Sequence, residues 1–183
     1  MKQSCANATW LHTYIDTVPD FPKPGVIFQI FSRLLASPKA MQRTLDLWTE
    51  HYATVGHPDV IAAIDSRGFI LGSLIAYRLS LPFAMIRKEG KLPNAIVSQK
   101  QTMEYASTVL ELEKGTIQSG QRVLIVDDVM ATGGTGLAAC ELIEKVGAEV
   151  FEVTCLIEIF PLEGRKKLKD YALFTLTGEK PHI

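Results

Sequence analysis

Ile125-Val126-Asp127-Asp128-Val129-Met130-Ala131-Thr132-Gly133-Gly134-Thr135 places two adjacent carboxylates and a Gly-rich turn between a strand and a helix. The run 122–126 is short, apolar and β-branched, as a buried strand requires. Residues 136–146 carry Leu137, Cys140, Leu142, Ile143 and Val146 at helical spacing. Residues 131–135 are therefore expected to open a helix, where backbone N–H groups lack partners and the macrodipole favours an anion. Gly133 and Gly134 allow the backbone to approach that anion closely. A phosphate fits there without a lysine. The Walker A pattern is absent and the spacing does not suit the dinucleotide fingerprint, which argues against nucleotide hydrolysis and nicotinamide binding. Asp127 and Asp128 are expected to end the strand at its carboxyl edge, where open α/β sheets bind ligands. There they suit ribose hydroxyls or hydrated magnesium.

Outward from this stretch, strands and helices alternate. Residues 60–64 and 83–86 read as strands, 69–79 as a helix between them, and 149–159 as a longer strand. A mostly parallel central sheet flanked by helices follows, an α/β fold. Upstream, a first helix is expected over 8–17, then a Pro22-Lys23-Pro24-Gly25 turn. A second helix starts at Pro38 behind a Ser37 N-cap, with Met41, Leu45, Trp48 and Tyr52 on one face. Between Arg87 and Gly115 the pattern breaks into a long polar excursion containing a hairpin, a length of loop that is usually functional.

The 183 residues, 47% hydrophobic and 21% charged, suit one domain. A net charge of −1 with dispersed basic residues leaves no footprint for non-specific nucleic-acid binding. Cys5, Cys140 and Cys155 form no metal pattern or disulfide frame, and no signal sequence or membrane-length apolar run is seen, so a cytoplasmic protein without a membrane partner is expected.

The acidic pair with its glycines resembles the phosphoribosyl pyrophosphate motif of type I phosphoribosyltransferases. Asp20-Phe21-Pro22-Lys23-Pro24-Gly25-Val26-Ile27-Phe28, Asp65-Ser66-Arg67-Gly68-Phe69, Arg87-Lys88-Glu89-Gly90-Lys91-Leu92-Pro93 and Met103-Glu104-Tyr105 resemble, in order and spacing, segments of the adenine phosphoribosyltransferase family. The resemblance runs from about Asp20 to Leu168 and implies the type I fold with a small N-terminal hood over about 1–35 and a flexible loop over about 88–113. The implied activity is purine salvage: transfer of a phosphoribosyl group from phosphoribosyl pyrophosphate to adenine, giving AMP and pyrophosphate, with Mg2+ and a homodimer.

Residue by residue, the resemblance assigns the 5′-phosphate to the backbone of Ala131, Thr132, Gly133, Gly134 and Thr135, and the ribose to Asp127 and Asp128. Both carboxylates could also stabilise positive charge growing on the sugar. Asp65, Ser66 and Arg67 are implied to form the pyrophosphate turn, with a cis peptide near the serine, aided by Arg87, Lys88 and Lys91. Glu104 is implied as the acid/base partner of the purine's imidazole ring, on a lid with Tyr105. Phe28 and Val129 are implied to cover the two faces of the base, with backbone near Ile27 reading its amino edge. No dedicated metal site is implied beyond Asp127 and Asp128 through water.

Two positions depart from the family pattern. Gln29-Ile30 stands where the family usually has Arg-Asp, and Ala106 stands where a glycine is common. The first leaves hypoxanthine, guanine or xanthine open as the base. A non-catalytic regulator that binds the donor is the reading from another class, although no segment is spare for a DNA-binding helix-turn-helix.

Overall fold

The computed structural model describes residues 2–93, 96–102 and 107–179. Among the described residues, ten strands and five α-helices follow one another: β1 (Gln3–Cys5), β2 (Asp16–Pro19), β3 (Ile27–Ile30), α1 (Ser32–Leu35), α2 (Pro38–Val55), β4 (Val60–Ile64), α3 (Gly68–Leu79), β5 (Phe83–Lys88), β6 (Ile96–Thr102), β7 (Ser107–Glu113), β8 (Arg122–Met130), α4 (Gly134–Lys145), β9 (Glu149–Glu158), α5 (Gly164–Lys167) and β10 (Leu173–Gly178). The main sheet has the order β1-β10-β9-β8-β4-β5-β7-β6. Its first six strands run parallel, and the β6–β7 hairpin adds antiparallel to β5.

β4 shows why the sheet is buried on both sides. Its Val-Ile-Ala-Ala-Ile sequence carries no polar group, and all five residues are buried. Successive side chains point to opposite faces: Val60, Ala62 and Ile64 join the core under α4, whereas Ile61 and Ala63 join that under α2 and α3. Gly72 brings α3 onto the sheet, since a Cβ there would lie 2.5 Å from that of Ala63. α2 begins as expected: Pro38 occupies its first turn and Ser37 Oγ accepts from the Ala40 N–H at 3.4 Å. Its inner face buries Met41, Trp48 and Tyr52.

The N-terminus departs from expectation. The helix over 8–17 is replaced by a short 3-10 turn, Thr9–Thr13, and by β2, which pairs antiparallel with β3 as a separate two-stranded sheet. Leu11 and Ile15 are still buried, so the apolar spacing served a turn and a strand entry. β1 and β10, absent from the expectations, close the edge beside β9. β8 also runs to Met130, four residues beyond its expected end.

Connections from β4 and β8 leave in opposite directions, through α3 to β5 on one side and through α4 to β9 on the other. Such a switch point opens a crevice beyond the carboxyl ends of the two strands. The turn after β4 begins at Asp65, and the Gly-rich turn after β8 at Ala131, so both lie at this carboxyl edge.

Candidate active site

Asp127 and Asp128 lie within β8 rather than after its end, still paired in register with β9 at Asp127↔Cys155 and Val129↔Ile157. The two acidic residues stay in contact there, the Asp128 N–H donating to Asp127 Oδ1 at 2.8 Å. Asp127 lines a cavity of about 320 Å³ with Val129, Ala131, Thr132, Gly133, Gly134, Thr135 and Lys88. Asp128 is buried and its Oδ2 lies 2.6 Å from Arg67 Nη2. Burial first, and the charge of Asp128 second, raise the Asp127 pKa well above its ordinary value. Residues 131–133 form a turn, with Gly133 at φ 75°, and α4 starts at Gly134. The expected helix opening is thus three residues shorter than 131–135 suggested. Residues of this turn and of the first helical turn, Ala131 to Gly136, still line the cavity that holds Asp127.

The turn after β4 has a cis peptide between Asp65 and Ser66. Arg67 sits directly before α3, and its side chain reaches back across the crevice instead of capping the helix. It donates from Nη1 to the Gln29 carbonyl at 2.6 Å, pairs with Asp128, and stacks its guanidinium 4.7 Å from the Phe28 ring and 5.4 Å from that of Phe31. A single side chain thus ties the β2–β3 sheet to the acidic pair.

The basic loop is organised by anions that sequence reasoning did not single out for that task. Asp65 Oδ2 accepts from Lys91 Nζ at 2.7 Å and lies 3.6 Å from Arg87 Nε. Burial alone would raise the Asp65 pKa, but the Lys91 hydrogen bond and the charges of Lys91 and Arg87 bring it below the ordinary value. Buried Glu111, on β7, accepts from the Gly90 N–H at 3.1 Å and holds the turn. A charged residue alternating with leucines in Leu110-Glu111-Leu112 was the available signal. Lys88 stands apart from Arg87 and Lys91 and lines the cavity of the phosphate loop.

Phe28 is half-buried, edge-to-face with Phe21 at 5.2 Å, and lines a second hollow of about 300 Å³ with Phe31, Leu35, Arg67 and Ile70. Ile27 is exposed and Val129 borders the first cavity, so Phe28 and Val129 line different hollows. Glu104 and Tyr105 lie outside the described residues, as does Ala106. Among the described residues, no cluster of three His, Cys, Asp or Glu side chains could hold a metal ion, and no helix is long and apolar enough to cross a membrane.

A family model described as a phosphoribosyl transferase domain matches residues 31–182. The chain is 42% identical over 166 residues to adenine phosphoribosyltransferase of Koribacter versatilis, covering 91% of each. The chain belongs to the adenine phosphoribosyltransferase family. Adenine phosphoribosyltransferase 4 of Arabidopsis thaliana is 45% identical over 166 residues, again 91% of each chain. The solved adenine phosphoribosyltransferase of Thermoanaerobacter pseudethanolicus superposes with a TM-score of 0.90 at 37% identity, covering 94% of this chain and 100% of that one. The Saccharomyces cerevisiae adenine phosphoribosyltransferase, solved with an imino-altritol bisphosphate and adenine, gives 0.87 at 34% identity, covering 92% and 97%. These likenesses take in both strands that border the crevice.

Proposed function

We propose that this chain transfers the 5-phosphoribosyl group of phosphoribosyl pyrophosphate to adenine, giving AMP and pyrophosphate in purine salvage, and that the crevice between β4 and β8 carries the reaction. The observation that carries this reading is the pairing of Arg67, from the turn after β4, with Asp128 beside the phosphate loop after β8. Two anion-binding turns and an acidic pair then face one sugar. Backbone N–H groups of residues 131–135 hold the 5′-phosphate, and Asp127 and Asp128 accept from the ribose hydroxyls. As the anomeric carbon–oxygen bond breaks, positive charge grows on the ribose and the two carboxylates stabilise it.

Asp65 holds Lys91 and Arg87 toward the pyrophosphate turn, while Ser66 and Arg67 take the leaving group. Arg67 must then exchange Asp128 for phosphate oxygens, which frees that carboxylate for the sugar. Phe28, from the second hollow, and Val129, from the edge of the first, approach the two faces of a base lying between them, and backbone near Ile27 reads its amino edge. We assign Glu104, with Tyr105, to the lid between β6 and β7, where Glu104 exchanges a proton with the purine's imidazole ring and closure excludes water.

Two hard carboxylate oxygen donors, one with a raised pKa that a cation would relieve, fit magnesium held through water. When bound with the donor, the ion would neutralise charge on the pyrophosphate. Asp127 and Asp128 would hold it from the protein side. The exposed Tyr77, Ile70, Phe83 and Met85 on α3 and β5 support a homodimer that covers this face. The three free cysteines support a reducing, cytoplasmic setting.

One observation favours testing other bases. The Gln29 side chain is 2% exposed, and neither its amide nitrogen nor its oxygen has a partner among the described residues. Its strand neighbours Phe28 and Ile30 line the second hollow, so this change from the family's usual Arg-Asp lies directly behind the wall assigned to the base.

The test is pyrophosphate release from phosphoribosyl pyrophosphate with magnesium and each free base in turn, beside an Asp128→Asn variant. Release with adenine, lost in the variant, is expected. Release only with another base would move the specificity, and no release with any base would favour a donor-binding regulator.

A further inference from the structure

The phosphate loop rests on something other than its own strand and helix. A Cβ on Gly133 would strike the Gly164 carbonyl oxygen, and a Cβ on Gly164 would lie 2.5 Å from the Ala131 oxygen and 2.9 Å from the Gly133 nitrogen. Two glycine backbones thus touch with no room for a side chain on either. Gly164 opens α5, a one-turn segment whose place is set by its neighbour. Arg165 donates from Nε to Glu158 Oε1 and from Nη2 to Glu158 Oε2, both at 2.6 Å. Nη2 also donates to the Ser4 carbonyl at 3.0 Å and to Thr175 Oγ1 at 3.1 Å. Glu158 is 2% exposed and pairs across the sheet with Met130, the residue just before the loop. Leu168, at the other end of the segment, would sit 3.3 Å from a Cβ on Gly136 in the first turn of α4.

We propose that Gly164 and Arg165 are positioning residues for the 5′-phosphate: Arg165, forked onto Glu158, presses the Gly164 backbone against residues 131–133 and fixes where their N–H groups point. A buried carboxylate left without its partner is strongly unfavourable, so this clamp stays closed. Its two parallel hydrogen bonds fix orientation, which a lysine cannot reproduce. The inference rests on the reading of 131–135 as the phosphate loop.

The experiment compares the parent protein with Gly164→Ala, Arg165→Lys and, as an exposed control on the same segment, Lys166→Ala. Binding of AMP and of adenosine is measured beside steady-state kinetics. A displaced loop is expected to raise the donor KM and the AMP Kd about tenfold or more in Gly164→Ala, because misplacement by 1 Å can cost about a hundredfold. Arg165→Lys is expected to move them the same way by a smaller factor. kcat, the adenine KM and adenosine binding should stay within about twofold. A folded Gly164→Ala or Arg165→Lys protein whose donor KM and AMP Kd match the parent would overturn the proposal. If Gly164→Ala does not fold, Arg165→Lys decides, and failure of both to fold overturns it in favour of a purely structural segment. A parent protein that binds AMP no better than adenosine would instead sink the phosphate-loop reading itself.

Discussion

Gly68→Ala tests whether the spacing between the two turns matters to catalysis. Gly68 is the first residue of α3, directly after Arg67, and a Cβ there would lie 2.9 Å from the Val126 oxygen, 3.3 Å from Asp127 Cα and 3.3 Å from Asp127 Oδ1. The two nearest of these atoms belong to the backbone and cannot rotate away. Ordinary contact starts near 3.4 Å, so the turn after β4 and the acidic end of β8 must separate by about 0.5 Å. If about 1 Å of misplacement costs about a hundredfold, half of that costs about tenfold, or roughly 1.4 kcal/mol of transition-state stabilisation. Overpacking should also lower stability by about 1–3 kcal/mol. The assay is kcat/KM for the donor at saturating adenine, with thermal unfolding in parallel. Gly72→Ala is the comparison, since its Cβ would meet the Ala63 Cβ at 2.5 Å and the Phe83 ring at 3.1 Å, one turn away from the aspartates. It should destabilise at least as much and slow the enzyme less. A Gly68→Ala enzyme within twofold of the parent, or a Gly72→Ala enzyme equally slowed, would refute the reasoning.

Asp127→Asn should abolish turnover yet raise the melting temperature at pH 7. Because its folded pKa is raised, charged Asp127 opposes folding at neutral pH, and that penalty fades as pH falls toward 3.8; equal melting temperatures at pH 7 would count against it. Asp65 has the opposite sign. Its lowered pKa contributes stability above about pH 4 that is lost as pH falls through the lowered value. Lys91→Ala should therefore cost stability at pH 7, by less than about 1 kcal/mol because Lys91 is 44% exposed, and less still at pH 3 by urea unfolding. It should also raise the donor KM. Trp48→Phe removes a buried 2.8 Å hydrogen bond to Thr154 Oγ1 and should lower stability by about 1–3 kcal/mol with donor and adenine KM unchanged.

The chain's own residues determined the parallel sheet, because Val60–Ile64 and the apolar run of β8 admit little but buried strands, and the Ser37-Pro38 start and apolar spacing of α2 are local in origin. The acidic pair and its glycines were legible for the same reason: a strand end, a positive-φ turn and a helix start are set within a few residues. The N-terminal helix was misjudged because the Asp16–Pro19 segment takes its conformation from pairing with Ile27–Ile30, a partner no local pattern reveals. Contacts made across the fold were likewise invisible. Arg67 meets the Gln29 carbonyl 38 residues away and Asp128 on another strand, and Glu111 meets Gly90 from a neighbouring strand. Sequence supplied the groups that hold a phosphorylated sugar; only the tertiary structure, by setting β4 beside β8 and Gly164 against Gly133, decided which charges pair and which backbone supports the loop. That division follows from physics, since propensity and turn chemistry act over a few residues, whereas ion pairs and close backbone contacts depend on distances that only packing fixes.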